Sequence, residues 1–479
     1  MGHVMKRLID RREWLKSVAA ATALLPLSSR GQSTPSWKAG VAKIDITPQS
    51  PIWLAGYGSR TKPSEGVLQP IYAKCLALQS GEGEVSVIVT SDLLGFPRDV
   101  SDPIVRECQN RYKLPRERLI LNSSHTHSGP VVGHMLKPAY PVFTKEQEDA
   151  VSLYTRELIE KVIGVVGKAI AGLSPANVSF AQTLAGFGVN RRRVGLRHLP
   201  GPVDQDVPIL SVRDPAGKTR AIVFGYACHN TALGNYQING DWAGFAQQDL
   251  ETRFPDAVAL FVQGCGADIN PVPRYQGNDP ALSPYSVELT RMYGKILATA
   301  VEIALHDLSP RNMKPLTGPI TAGFRTVTLP FHNPPTRGEL TKRLEDKSSA
   351  NASVRRHAEY MLSILDREGK LPDRYPYPVQ AWRFGKDLNL IALGGEVVVD
   401  YSLRLKAQYG WDNTWVAGYC NDVFAYIPSR RVLNEGGYEG GGAMIPYGQP
   451  GPFGSAVEEL IVEQVNDLMQ DLKYETSSR

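Results

Sequence analysis

"RLILNSSHTH" (residues 118–127) runs from a short apolar stretch through small polar residues to two histidines, His125 and His127. A continuous apolar run of that length, bounded by small residues, reads as a strand covered on both faces. The pattern returns along the chain. "VSVIVTSD" ends at Asp92, "AIVFGYACHN" at His229, "AVALFVQGCGAD" at Asp268, "LNLIALGGE" at Glu396 and "TWVAGYCND" at Asp422. Each strand-like run is followed by a polar side chain, and in α/β sheets functional groups gather at the carboxyl ends of strands. Between the runs lie helical patterns. Residues 152–173 place Leu158, Ile159, Val162, Ile163, Val166, Ala169 and Ile170 at helical spacing, and 288–305 and 456–469 behave likewise. The expected fold is one large mixed α/β domain over residues 37–479, with a metal site at its strand ends. The charged stretch 337–371 is expected to be helical, either a surface excursion or a lid.

The chain has 479 residues and a formal net charge of +5. Residues 1–30 hold Lys6, Arg7, Arg11, Arg12, Lys16 and Arg30 against Asp10 and Glu13, so the remainder is nearly neutral. That balance gives no electrostatic case for a nucleic-acid partner. "DRREWLKSVAAATALLPL" (10–27) pairs a twin arginine with an apolar run too short to span a bilayer. It resembles the bacterial twin-arginine export signal, so residues 1–36 are expected to be signal and linker and the protein to be periplasmic or secreted. The five cysteines are odd in number and none forms a CxxC pair, which speaks against a disulfide framework or a thiolate zinc site.

Metal binding must be assembled from scattered donors. If the HTH stretch is extended, His125 and His127 share a face; if it turns, one could bind metal while the other faces substrate. A lone histidine such as His229 after a strand is more often structural, and a carboxylate such as Glu396 after two glycines more often caps a helix. Together they place two imidazoles and a carboxylate at three strand ends, a set that suits catalytic zinc. Zinc would lower the pKa of a bound water and polarise a carbonyl, and His127 is placed to move the proton. The other six histidines lack this context.

In order along the chain, "VAKIDITP" (41–48), "LAGYG" (54–58), "HTHSGP" (125–130), "VNRRR" (189–193), "CHNT" (228–231), "INGDWAGFA" (238–246), "GGE" (394–396) and "YIPSRRVLNEGGYEG" (426–440) resemble the neutral ceramidases. The resemblance implies a zinc-dependent amidohydrolase that cleaves an N-acyl amide, with ceramide as the default substrate, and one Zn2+ per chain held by His125, His229, Glu396 and Tyr426. It implies that Arg191 polarises the substrate near the amide and that Tyr438 hydrogen-bonds the transition state. Two departures stand out. "GADINP" (266–271) puts Asn270 where the family carries a serine; asparagine cannot accept an acyl group but can donate hydrogen bonds to substrate. The chain also leaves no room for the β-sandwich domain that follows the catalytic domain in larger members. The partner implied is a small-molecule or lipid substrate, with room for transient contact with a membrane surface; no protein partner is implied. Other readings are a metal hydrolase acting on another amide, an ester or a polar metabolite, and a non-catalytic exported binding protein.

Overall fold

The larger sheet holds strands β1 (Trp37–Asp45), β2 (Tyr72–Ser80), β3 (Ser86–Ser91), β4 (Leu119–Ser123), β5 (Ser174–Leu184), β6 (Asp206–Arg213), β7 (Thr219–Tyr226) and β8 (Val258–Gln263). Their order is β8-β7-β6-β5-β1-β2-β3-β4, and the two-residue strand Lys314–Pro315 joins β5. A second sheet holds β9 (Ile320–Pro330), β10 (Arg374–Phe384), β11 (Leu388–Leu393) and β12 (Thr414–Ala417) in sequence order. This computed structural model describes residues 37–193, 200–274, 283–306, 313–346, 348 and 352–472. The expected export segment at 1–36 lies outside the described residues.

The six apolar runs of the sequence are the members of the three parallel pairs, β3/β4, β7/β8 and β11/β12. The reason is geometric. Parallel neighbours need a crossover helix, and that helix covers their outer face, so neither face of the strand meets water. The longer helices are α1 (Arg98–Tyr112), α2 (Lys145–Ala171), α3 (Asp241–Arg253), α4 (Ser283–Leu305), α5 (Arg337–Glu345), α6 (Ala352–Glu368), α7 (Val399–Tyr409) and α8 (Val457–Asp471). Helices α1, α3 and α7 are the three crossovers, giving three βαβ units whose strands each end in one of the polar groups, Asp92, His229 and Glu396 after the first strand and His125, Asp268 and Asp422 after the second. The longest helix, α2, starts on a capping box in which Thr144 accepts from the Gln147 backbone and the Gln147 side chain accepts from that of Thr144. It buries Leu158, Val162, Ile163, Val166 and Ala169, five of the seven residues in the expected stripe.

Alternation along the strands builds two kinds of core. On β2, Ala73, Cys75 and Ala77 pack with α1 and α2, whereas Leu76 and Leu78 point the other way. On β10, Tyr377, Val379 and Ala381 pack with α7 and α8, and Trp382 and Phe384 point inward. The inward sets meet: Trp37, Phe180, Leu210 and Leu260 of the larger sheet pack with Trp382, Phe384 and Trp415 of the smaller. Helices α3 and α4 cover β5 to β8 through Trp242, Leu250, Tyr293 and Leu297. The fold is mixed α/β, with two sheets face to face between outer helices. All five cysteines are buried and unbridged, as small core residues. No helix among the described residues is long and apolar enough to cross a membrane.

The charged stretch is a helical pair, α5 and α6. The start of α6 belongs to the site rather than to open surface: Ala352, Ser353, Val354 and Arg356 line the cavity over the histidines. Arg356 ties α6 down by donating to the carbonyl oxygens of Pro138 at 3.0 Å and Ala139 at 2.9 Å.

Candidate metal centre

The chain turns sharply after β4. His125 has φ +62, a left-handed conformation uncommon outside glycine, and its backbone N–H donates to Leu93 O at 2.9 Å. The turn decides between the two sequence alternatives, yet it still brings the rings together, with 3.1 Å between His125 Nε2 and His127 Nε2. After β7, the His229 N–H donates to Ile269 O and Trp242 Nε1 donates to His229 O. Asp241 braces this loop by accepting from the N–H groups of Ala232 and Leu233.

Glu396 and Tyr426 arrive as a pair. Glu396–Val397 forms a short parallel ladder with Tyr426–Ile427, in which Glu396 is the register partner of Tyr426. Gly395 makes the approach possible. Its φ is +71, and a Cβ there would lie 2.8 Å from Ala425 O and 2.7 Å from Ile427 Cγ1. Glu396 Oε2 then lies 3.1 Å from both His125 Nε2 and His229 Nε2, and the Tyr426 hydroxyl lies 3.2 Å from His229 Nε2. Ligating atoms of His125, His127 and His229 all fall within 4.8 Å of one another.

The donor chemistry tests whether a cation belongs here. His125 Nδ1 is 2.7 Å from Leu94 O, and His229 Nδ1 is 2.7 Å from Gly266 O. A carbonyl oxygen only accepts, so each Nδ1 carries the hydrogen and each ring turns Nε2 inward. Burial pushes His229 down to about 4, which keeps it neutral at physiological pH. Two imidazole Nε2 atoms therefore converge on one carboxylate oxygen, each at 3.1 Å, a donor set of the kind that holds a divalent cation. Fixing an imidazole through its far nitrogen is also how proteins orient metal-ligating histidines. The residues fit a divalent metal.

Arg191 reaches the centre from the side, donating from Nη2 to the Tyr426 hydroxyl at 3.1 Å and from Nε to Glu439 at 2.6 Å. Burial pushes the Tyr426 phenol up, and the adjacent guanidinium pulls the other way. Tyr438 is 49% exposed, with its ring 5.3 Å from that of Tyr426. The cavity over the histidines, about 410 Å3, is lined by His125, His127, Glu396, Tyr426, Tyr438 and the apolar Leu94, Leu136, Val354, Ile445 and Pro446. Asn270 and Arg191 line a neighbouring groove instead, which also touches Tyr438.

Sequence reasoning missed several members. The Tyr447 hydroxyl donates to Glu396 Oε1, and the Tyr419 hydroxyl lies 3.5 Å from Oε2. Tyr419 sits inside the quoted run "TWVAGYCND" and had the strand-end signal; Tyr447 had none. Buried amides lock the strand ends together. Asn122 donates to Gly418 O and accepts from the Gln263 N–H, Gln263 donates to Cys228 O, and Asn230 donates to Ser124 O. Conversely, Asp92, Asp268 and Asp422 end their strands as structural acceptors, bonded to Gln247, to Val399 and Asn190, and to Arg98 and Tyr375.

Residues 37–310 match the family model described as neutral/alkaline non-lysosomal ceramidase, N-terminal. Among solved structures, the neutral ceramidase from Pseudomonas aeruginosa is similar at 20% identity and a TM-score of 0.70, covering 93% of this chain and 76% of that one. A ceramidase complexed with C2 is similar at 19% identity with the same TM-score, covering 93% and 77%. At that identity the likeness speaks for the fold.

Proposed function

Because the chain belongs to the neutral/alkaline non-lysosomal ceramidase family, we propose that it is a zinc hydrolase that cleaves an N-acyl amide, with ceramide as the default substrate. The observation that carries this reading is the convergence of His125 Nε2, His229 Nε2 and Glu396 Oε2, with each imidazole held through its Nδ1 by a backbone carbonyl. His125, His229, Glu396 and Tyr426 would hold the metal. When bound, it would supply Lewis-acid activation of a water and of the substrate carbonyl.

The protein's own groups have separate tasks. His127 differs from the two anchored histidines: its Nδ1 is buried without a hydrogen-bond partner, so no carbonyl fixes its tautomer. Burial and the adjacent imidazoles hold it well below the usual histidine range, so it is neutral and able to take a proton. It accepts that proton as water oxygen adds to the carbonyl carbon, and returns it to the amide nitrogen as the C–N bond breaks. The products are a carboxylate and an amine. Tyr438, exposed at the cavity mouth, donates its hydroxyl to the carbonyl oxygen as negative charge develops there. Arg191 stabilises the oxygen of Tyr426 and keeps it in place. The apolar wall of Leu136, Val354, Ile445 and Pro446 suits an acyl chain.

The test is fatty-acid release from N-acyl sphingosine, measured before chelation, after it, and after zinc is returned. Release that disappears with the chelator and returns with zinc is expected. Undiminished release from chelated, metal-free protein would refute the zinc reading. For localisation, the twin arginine supports export, and changing Arg11 and Arg12 to lysine should hold the protein in the cytoplasm.

A further inference from the structure

Tyr438 stands between two different walls. The histidine cavity on one side has an apolar wall of Leu94, Leu136, Val354, Ile445 and Pro446, with Ser353 and Arg356 at its α6 side. On the other side is an open groove of about 860 Å3, lined by Arg191, Arg192, Arg193, Arg274, Asn270, Glu435 and Glu439. Four arginines against two glutamates leave this groove cationic.

The arginines are not equivalent. Arg191 and Arg192 pair with Glu439, and Arg192 and Arg193 pair with Glu435. Arg274 is half-buried, and among the described residues its Nη1 donates to Thr231, at 3.0 Å to Oγ1 and 3.5 Å to the carbonyl oxygen. Among the described residues no carboxylate lies within ion-pair distance of it. Its guanidinium therefore keeps donors to spare on the groove side, where a planar anionic group can take them. The same Thr231 hydroxyl lies 3.4 Å from Asn270 Oδ1, which leaves the Asn270 NH2 as a donor beside Arg274. Thr231 is two residues from His229, so this donor group is tied to the loop that carries the metal centre. The donors of Arg274, Asn270 and Tyr438 share one groove, and its two carboxylates are engaged by the other arginines.

We propose that the amine portion of the substrate carries an anionic oxygen group, a carboxylate or a phosphate, which binds Arg274 and Asn270 while the acyl chain lies along the apolar wall. This inference rests on the amide-hydrolase reading and narrows its substrate class: an uncharged ceramide leaves Arg274 unmatched, whereas an N-acyl amino acid or a phosphorylated ceramide does not. Arg274 acts on specificity, through charge-assisted hydrogen bonds to the departing half.

The experiment compares kcat/KM of the metal-loaded protein on two matched pairs: N-lauroylglycine against N-lauroylethanolamine, and ceramide 1-phosphate against ceramide. At least one anionic member should be preferred by about tenfold or more, and the responding pair identifies carboxylate or phosphate. In Arg274→Gln that ratio should fall to about one, and Arg274→Lys should restore part of it. No preference in either pair, or a preference that survives in Arg274→Gln, overturns the proposal while leaving the hydrolase intact. If metal-loaded protein turns over none of the four, the hydrolase reading fails instead. Calorimetric binding of N-lauroylglycine and ceramide 1-phosphate then decides the subsite: about tenfold weaker binding of either in Arg274→Gln supports it, and equal or absent binding of both overturns it.

Discussion

Two buried polar clusters in this molecule look alike in composition and differ in electrostatics. Around Lys406, the ammonium donates to both oxygens of Asp204, at 2.9 and 2.7 Å, and to Asp206 at 2.8 Å, and the Ser402 hydroxyl donates to Asp204 at 2.6 Å. An ammonium has three hydrogens, and all three are used. Around Glu396, the Nε2 atoms of two imidazoles converge on one carboxylate oxygen, and the nearby phenols of Tyr447 and Tyr419 donate to the same carboxylate. The first cluster closes on itself and holds α7 to the loop before β6. The second turns imidazole nitrogens and a carboxylate toward one point, as a metal-binding set does. Burial and charge therefore do not mark a functional centre by themselves; the mark is that convergence.

That contrast can be broken from either side. Glu396→Ala should remove the metal and lower kcat/KM on the N-acyl substrate by about a thousandfold or more, while the far-UV circular dichroism stays that of the parent. Lys406→Met should do the reverse. It leaves Asp204 buried without its cation, so urea denaturation should show a loss of about 3–5 kcal/mol, with metal retained in the molecules that remain folded. Tyr447→Phe removes a donor from Glu396 without touching the three converging acceptors, and competition with a chelating dye should show metal affinity falling about 10–100-fold. The smallest effect is expected at Gly56. Its φ is +97, and a Cβ there would lie 2.4 Å from His127 Nδ1. Gly56→Ala should shift His127 alone, lowering kcat by about tenfold with the metal still bound. If Gly56→Ala loses the metal instead, His127 is a ligand and not a proton carrier.

The strands that carry the centre were legible because parallel pairs are apolar on both faces and therefore appear as unbroken runs. Helix α2 was legible for a related reason, since its stripe recurs at helical spacing. The packing of one sheet on the other was not legible. Alternation on β2 and β10 shows that both faces are covered but not what covers them, so the meeting of Trp37, Trp382 and Trp415 had no signal. At the centre, the residues at strand ends could be collected from the sequence, but the same rule collected Asp92, Asp268 and Asp422. Only hydrogen-bond geometry separates these, because each is held by amide, guanidinium or hydroxyl donors, whereas Glu396 also meets two imidazole nitrogens. Tyr426 came from resemblance alone; its place beside Glu396 depends on a two-residue ladder that no periodicity reveals. Arg274 was passed over entirely, because an arginine is informative only when its missing partner can be seen.

The most direct measurement is the metal content of the purified protein, by inductively coupled plasma mass spectrometry, for the parent and for Glu396→Ala. About one zinc per chain in the parent and none in the variant is the expected result. A parent that hydrolyses an N-acyl amide with no metal bound, or a variant that keeps its full equivalent, would contradict the assignment of His125, His229 and Glu396 as a metal centre.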